Sequence, residues 1–289
     1  MTTDANVLLR AGASFGVGSL PHRSVSQALD FVWTSTDIPT IPSLPRRSPA
    51  EGMIAQALVG IEGVSVGQYG GISVDVSALD VDHFITTDLS SDAYGAFAAF
   101  LETFPVRNKG ARAVKWQFVG PVTLGMALVR LGLEAAIAFP LALQAVREHV
   151  SALEEEVRRA TNGLTQIIVL DEPLLDEALE LGFHLGSEEV VDLISGALAA
   201  VSRDNINGLH CCAHTNWRAM LSTGASVLSV PVPSVANNED SSELLAAASR
   251  ISDHMAHGGR EQRAGIGLVG HGCGLSRSSG PVRTPRSWR

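Results

Sequence analysis

Short β-branched or apolar runs that close on Gly, Pro, Asp or Ser alternate along this chain with longer segments of helical periodicity. That alternation leaves few folds open, because a strand apolar on both faces needs a helix to cover it, which is the pattern of βα units around a parallel sheet. The candidate strands are 14–19 (SFGVGS), 38–44 (IPTIPSL), 114–121 (VKWQFVGP), 166–173 (QIIVLDEP), 208–212 (GLHCC), 226–232 (SVLSVPV) and 265–270 (GIGLVG). The clearest helix runs from about Pro140 to Ala160, where Leu141, Ala145, Val146, Val150, Leu153 and Val157 recur at helical spacing and Glu148, Glu154, Glu155, Arg158 and Arg159 take the other faces. Pro140 suits its first turn and Asn162-Gly163 its stop. A second helix, 187–201, opens with Ser187, Glu188 and Glu189, which serve cap and dipole.

The polar residues gather at the C-terminal ends of these strands: Gly18-Ser19, Gly120-Pro121, Asp171-Glu172-Pro173 and His210 to Cys212. In parallel α/β folds that edge is where active sites form. A chain of 289 residues, 45% hydrophobic, can bury one large core, so residues 1–258 read as one domain. The formal charge of −9 argues against a grip on nucleic acid or anionic membrane, and a small-molecule partner fits better. Three cysteines make no disulfide framework, the start lacks the basic and apolar regions of a signal peptide, and no apolar run approaches the ~20 residues of a membrane span. The expectation is a soluble, cytoplasmic protein.

From Gly258 onward the composition changes: eight Gly, six Arg, four Ser and no Lys in 32 residues, with Glu261 the lone acid. This tail carries +5, which leaves −14 on residues 1–257. Residues 259–289 therefore read either as a flexible basic tail holding one strand, 265–270, or as a replaced C-terminus.

With the strand ends in view, the chain resembles the C-terminal catalytic half of cobalamin-independent methionine synthase, within the barrel superfamily shared with uroporphyrinogen decarboxylase. The likeness spans about residues 16 to 259 and rests on GVGSLP (16–21), GPVTL (120–124), IIVLDEP (167–173) and the H-x-C of His210 and Cys212, in that order. It implies a (β/α)8 TIM-type barrel, incomplete or aberrant at its C-terminal end. It also implies a zinc-dependent methyltransferase that acts on a small-molecule thiol, homocysteine, to give methionine. The methyl donor, folate or a corrinoid protein, stays open.

Residue by residue, the resemblance assigns zinc to His210, Cys212 and Cys273, the substrate carboxylate to Gly18 and Ser19, and the substrate ammonium to Asp171, with Glu51 as a second acidic contact. Each has a plainer alternative: a tight turn for Gly18-Ser19, an N-cap or a salt bridge for Asp171, and a capping box over Ser48-Pro49-Ala50-Glu51 for Glu51. Strand alternation puts His210 and Cys212 on one face and turns Cys211 to the other, as a small buried hydrophobe. His22 and Trp116 lie near strand ends but read more simply as turn and core, and His149 as a solvated or packing residue. The family has a zinc-ligating Glu on the next strand, whereas this chain has Pro231, Val232 and Pro233 there. That gap keeps a degenerate, non-catalytic barrel in play, and a decarboxylase of the uroporphyrinogen type would have only Arg23, Arg46 and Arg47 to grip carboxylates. Phosphate-cradling, dinucleotide-binding and nucleophile-elbow motifs are all missing.

Overall fold

The computed structural model describes residues 13–81, 83–180, 183–212, 217–231 and 267–271. Five parallel strands lie side by side in chain order: β3 (Ala113–Val119), β4 (Thr165–Asp171), β5 (Ile206–His210), β6 (Val227–Pro231) and β7 (Gly267–His271). Two extended segments continue the sheet beyond β3. Residues 38–44 join it through Ile41 N to Lys115 O (2.8 Å) and Lys115 N to Pro39 O (3.0 Å), and residues 14–20 join 38–44 through Ser43 N to Gly18 O (3.1 Å). Both contacts are parallel bridges, Thr40 to Lys115 and Ser19 to Ser43. A small antiparallel hairpin, β1 (Val64–Val66) with β2 (Ile72–Val74), interrupts the alternation and has no counterpart in the sequence-based reading.

Helices α1 (Val25–Ser35), α2 (Met53–Ala57), α3 (Gly95–Arg107), α4 (Pro121–Arg130), α5 (Ala135–Ala160), α6 (Leu175–Ala178), α7 (Ser187–Leu198) and α8 (Trp217–Ser222) connect the strands. One face of the sheet packs Val114, Trp116, Phe118, Ile168, Leu170, Leu209 and Leu228 against them in the main core. The opposite, inner face carries a smaller cluster of Ile38, Ala113, Ile167, Val169, Ile206 and Val227, with Phe15 against it. Each such side chain buried contributes about 1.5–3 kcal/mol, so the helix-facing layer dominates stability. Helices α4 and α5 approach closely because Gly125 has no side chain, and a Cβ there would run into the Phe139 ring.

Several local readings change. Helix α5 begins at Ala135, five residues before Pro140, which sits inside it; a proline there forfeits one helical hydrogen bond and crowds the carbonyl of Ala136, and the buried packing of Phe139 and Leu141 on either side holds the turn. The stop holds, since Asn162 (φ 56°) and Gly163 (φ 79°) take the left-handed conformation that ends a helix. Glu154 does not face water. It is buried, and accepts from Ser202 N (3.1 Å) and from the Ser202 hydroxyl and Asn205 amide. Its backbone oxygen takes Gln166 Nε2 (2.8 Å), whose Oε1 takes the Trp116 indole N–H (2.7 Å). This chain of polar contacts ties β3, β4, α5 and the approach to β5 together. At α7 the N-cap is Gly186, with Glu189 accepting its N–H at 2.7 Å, and Ser187 is already helical.

Candidate functional site

Parallel register sets the site. Val119 pairs with Asp171, Asp171 with His210, and His210 with Ser229, so one row crosses the sheet at the C-terminal ends of β3 to β6. Two residues earlier the same face carries Val169 and Gly208, and two earlier again Ile167 and Ile206, so the row caps the inner apolar cluster. Asp171, His210 and Ser229 make this row polar above Ile167, Val169 and Ile206, while β3 carries its polar side chains, Lys115 and Gln117, in the layers below.

His210 closes β5 and is buried. Its Nδ1 lies 2.9 Å from Ser229 Oγ, and its Nε2 lies 2.9 Å from the sulfur of Cys212, which is exposed just past the strand end. Cys211, between them, is buried in the helix-facing core, as strand alternation requires. With Nδ1 engaged by Ser229, the ring presents Nε2 to the thiol, the arrangement by which a second contact orients a metal-binding imidazole. Imidazole plus thiolate suits zinc, yet two ligands do not complete a site. Among the described residues no third ligand joins them. Pro231 ends β6 and pairs in register with His271, and Val232 and Pro233 lie outside the described residues. Cys273 and His214 lie outside the described residues.

Asp171 and Glu172 are adjacent and fully buried, but only one is satisfied. Glu172 accepts from Val122 N (2.9 Å) and Thr123 N (2.7 Å) at the start of α4, and its carboxylate fills the space a Cβ on Gly120 would occupy. Burial pushes its pKa up to about 7 in spite of these bonds. It is a helix cap. Asp171 Oδ1, by contrast, is buried without a hydrogen-bond partner. Burial raises the Asp171 pKa, and the positive charge of Lys115 opposes that rise. Desolvation in turn lowers the pKa of Lys115, a buried lysine in the middle of β3, and the Asp171 charge counteracts it.

Lys115 and Gln117 were absent from the sequence-based candidates. They lie two apart in a strand that is otherwise apolar, and that spacing on one face was the available signal. Lys115 Nζ donates to Val17 O and to Gln117 Oε1 (3.0 Å). The Gln117 amide lies under Gly18, where a Cβ would stand 2.8 Å from it, and Gly18 has φ +124°, a conformation that favours glycine. Gly18 is buried and Ser19 exposed at the adjoining strand end.

The remaining candidates are placed as follows. Glu51 is buried and accepts from Leu44 N (2.6 Å), Ala96 N (3.3 Å) and Arg47 Nε (2.6 Å), so its carboxylate is consumed inside the protein; Ser48 Oγ takes Ala50 N (3.3 Å) in place of a full capping box. Trp116 is buried against Phe97 (ring centroids 6.0 Å) on the helix side of the sheet. His22 stacks at a tilt on Phe31 (5.6 Å), with Nδ1 buried and unbonded. His149 is not solvated: it is wholly buried, with Nδ1 2.7 Å from Thr87 Oγ1, and burial pushes its pKa down to about 4.

No family model and no curated protein matches the chain. Among solved structures, it is similar to a methyltransferase from Methanosarcina mazei, with a TM-score of 0.55, 11% identity, and coverage of 91% of this chain and 88% of that one. A likeness of this kind across nearly both whole chains shows a shared α/β fold.

Proposed function

We propose that this chain is a methyltransferase-like protein that moves a methyl group to a small-molecule thiol, homocysteine, on a (β/α)8-type barrel. The observation that carries the reading is the single row in which the Asp171 carboxylate, with its Oδ1 lacking a hydrogen-bond partner, stands beside the His210–Cys212 pair. The Methanosarcina mazei methyltransferase, similar in fold, supports it at the level of methyl transfer.

Each residue then has a distinct task. Asp171 receives the substrate ammonium, which supplies the partner its Oδ1 lacks. Gly18 and Ser19 receive the carboxylate through backbone N–H groups and the Ser19 hydroxyl. His210 and Cys212, completed by Cys273, hold zinc, which when bound lowers the pKa of the substrate thiol so that a thiolate exists at neutral pH. Ser229 fixes the His210 ring. The donor is a methyl-folate or a methyl-corrinoid protein.

Zinc analysis of the purified chain together with methyl transfer to homocysteine from each donor tests the reading. About one zinc per chain, lost in Cys212→Ser, with methionine formed from one donor, is the expected result. Absence of zinc at neutral pH overturns the zinc-dependent reading. A second reading, a barrel that binds substrate without chemistry, is favoured by Pro231, Val232 and Pro233 standing where the resemblance leads one to expect a ligand glutamate; it is met if homocysteine binds and no donor yields methionine.

A further inference from the structure

Trans peptide geometry links Lys115 to the other side of the Val17–Gly18 peptide. No cis bond is present, so the Val17 carbonyl and the Gly18 N–H point in opposite directions. Lys115 Nζ holds that carbonyl from inside the sheet, and Gln117 packs beneath Gly18 so that only glycine fits. The Gly18 N–H is therefore turned away from the ammonium. Among the described residues, neither it nor the Ser19 N–H donates to any group, while the Gly18 carbonyl is occupied by Ser43 N. Two successive N–H groups with no acceptor among the described residues are available to donate to one anion. A cation bonded to the carbonyl of the same peptide polarises it and strengthens its N–H as a donor.

We propose that Lys115 is a positioning residue that aims the Gly18 and Ser19 N–H groups at the carboxylate of an amino-acid substrate and so sets selectivity for substrates that carry one. The proposal rests on the substrate reading above and adds a residue that reading does not contain. Lys115 touches no substrate. Its 2% exposure and its bonds to Val17 and Gln117 place it one peptide below the anion.

The test compares binding of homocysteine with binding of 3-aminopropanethiol, the same thiol and amine without the carboxylate, to the full chain by calorimetry. In wild type, homocysteine should bind at least about tenfold more tightly than aminopropanethiol. Lys115→Met should weaken homocysteine about tenfold and leave aminopropanethiol within about twofold. Gly18→Ala, which drives a Cβ into the Gln117 amide that Lys115 bonds, should erase the same selectivity and serves if Lys115→Met does not fold. Equal weakening of both ligands, or no loss of selectivity in either variant, overturns the proposal while leaving the substrate reading standing. Wild type that binds neither thiol overturns that reading and this proposal with it.

Discussion

The Glu172 carboxylate lies directly under the α-carbon of Gly120, in the space a side chain there would need, and from that position it caps the first turn of α4. Sequence neighbours 171 and 172 thus divide their labour, one holding a helix and the other keeping one oxygen, Oδ1, free of hydrogen bonds at the mouth of the sheet. Gly120→Ala must either expel the carboxylate or shift the strand, so it should cost about 2–4 kcal/mol, combining overpacking with unsatisfied N–H groups. Urea unfolding measures it. A cost under about 0.5 kcal/mol would show that the contact yields freely.

Asp171→Asn separates function from stability. The variant should lose at least about tenfold in homocysteine affinity, because the ammonium loses its charged partner. Its stability at pH 8 should change by less than about 1 kcal/mol, since the relief from burying a carboxylate with an unbonded oxygen is offset by the loss of the charge that compensates buried Lys115. Paired calorimetry and denaturant unfolding decide it, and a large fall in stability would mark Asp171 as structural.

His149 predicts an acid-side loss. Its pKa is about 4 in the fold against 6.5 in the unfolded chain. Below pH 6.5 the unfolded state therefore binds the proton the folded state refuses, and stability is lost as pH falls from about 6.5 towards 4, by about 3 kcal/mol in all. Glu172 acts in the opposite sense: its raised pKa of about 7 means that its burial cost is relieved as pH falls from 7 to 4.5. The His149 part is isolated by following the stability difference between wild type and His149→Gln across pH 7.5 to 4. A flat difference would show that the ring is hydrated.

The third zinc ligand can be assigned by subtraction. Cys273→Ser should lower zinc content as much as Cys212→Ser if Cys273 is the third ligand. If His271, the register partner of Pro231, takes that place instead, His271→Ala will do so and Cys273→Ser will not. Metal analysis of the three purified variants reads the answer directly.

Strand periodicity made His210, Cys211 and Cys212 legible, because a period of two assigns each residue a face without knowledge of the fold. Asp171 was visible as a carboxylate at a strand end. Lys115 escaped because a lysine is ordinarily read as solvated, and only the register shows that its neighbours on that face, Ile167 and Ile206, leave it no water. Ser229 escaped because a serine carries no signal until its partner across the strand gap is known. On α5, Glu154 was set on the polar side by helical periodicity and His149 was left as solvated or packing, but a 26-residue helix in this fold touches more than one neighbour, and both are buried by contacts distant in sequence.

The inner face is stratified, with Ile167, Val169, Ile206 and Val227 below and Asp171, His210 and Ser229 above. Such layering uncouples inheritance of shape from inheritance of chemistry. Substitutions in the lower layer are filtered by folding, whereas those in the upper layer are filtered by use alone. Asp171, His210 and Ser229 belong to the upper layer, so a lineage could exchange one of them and still pass on an intact scaffold, free to drift towards a new ligand set or a new substrate.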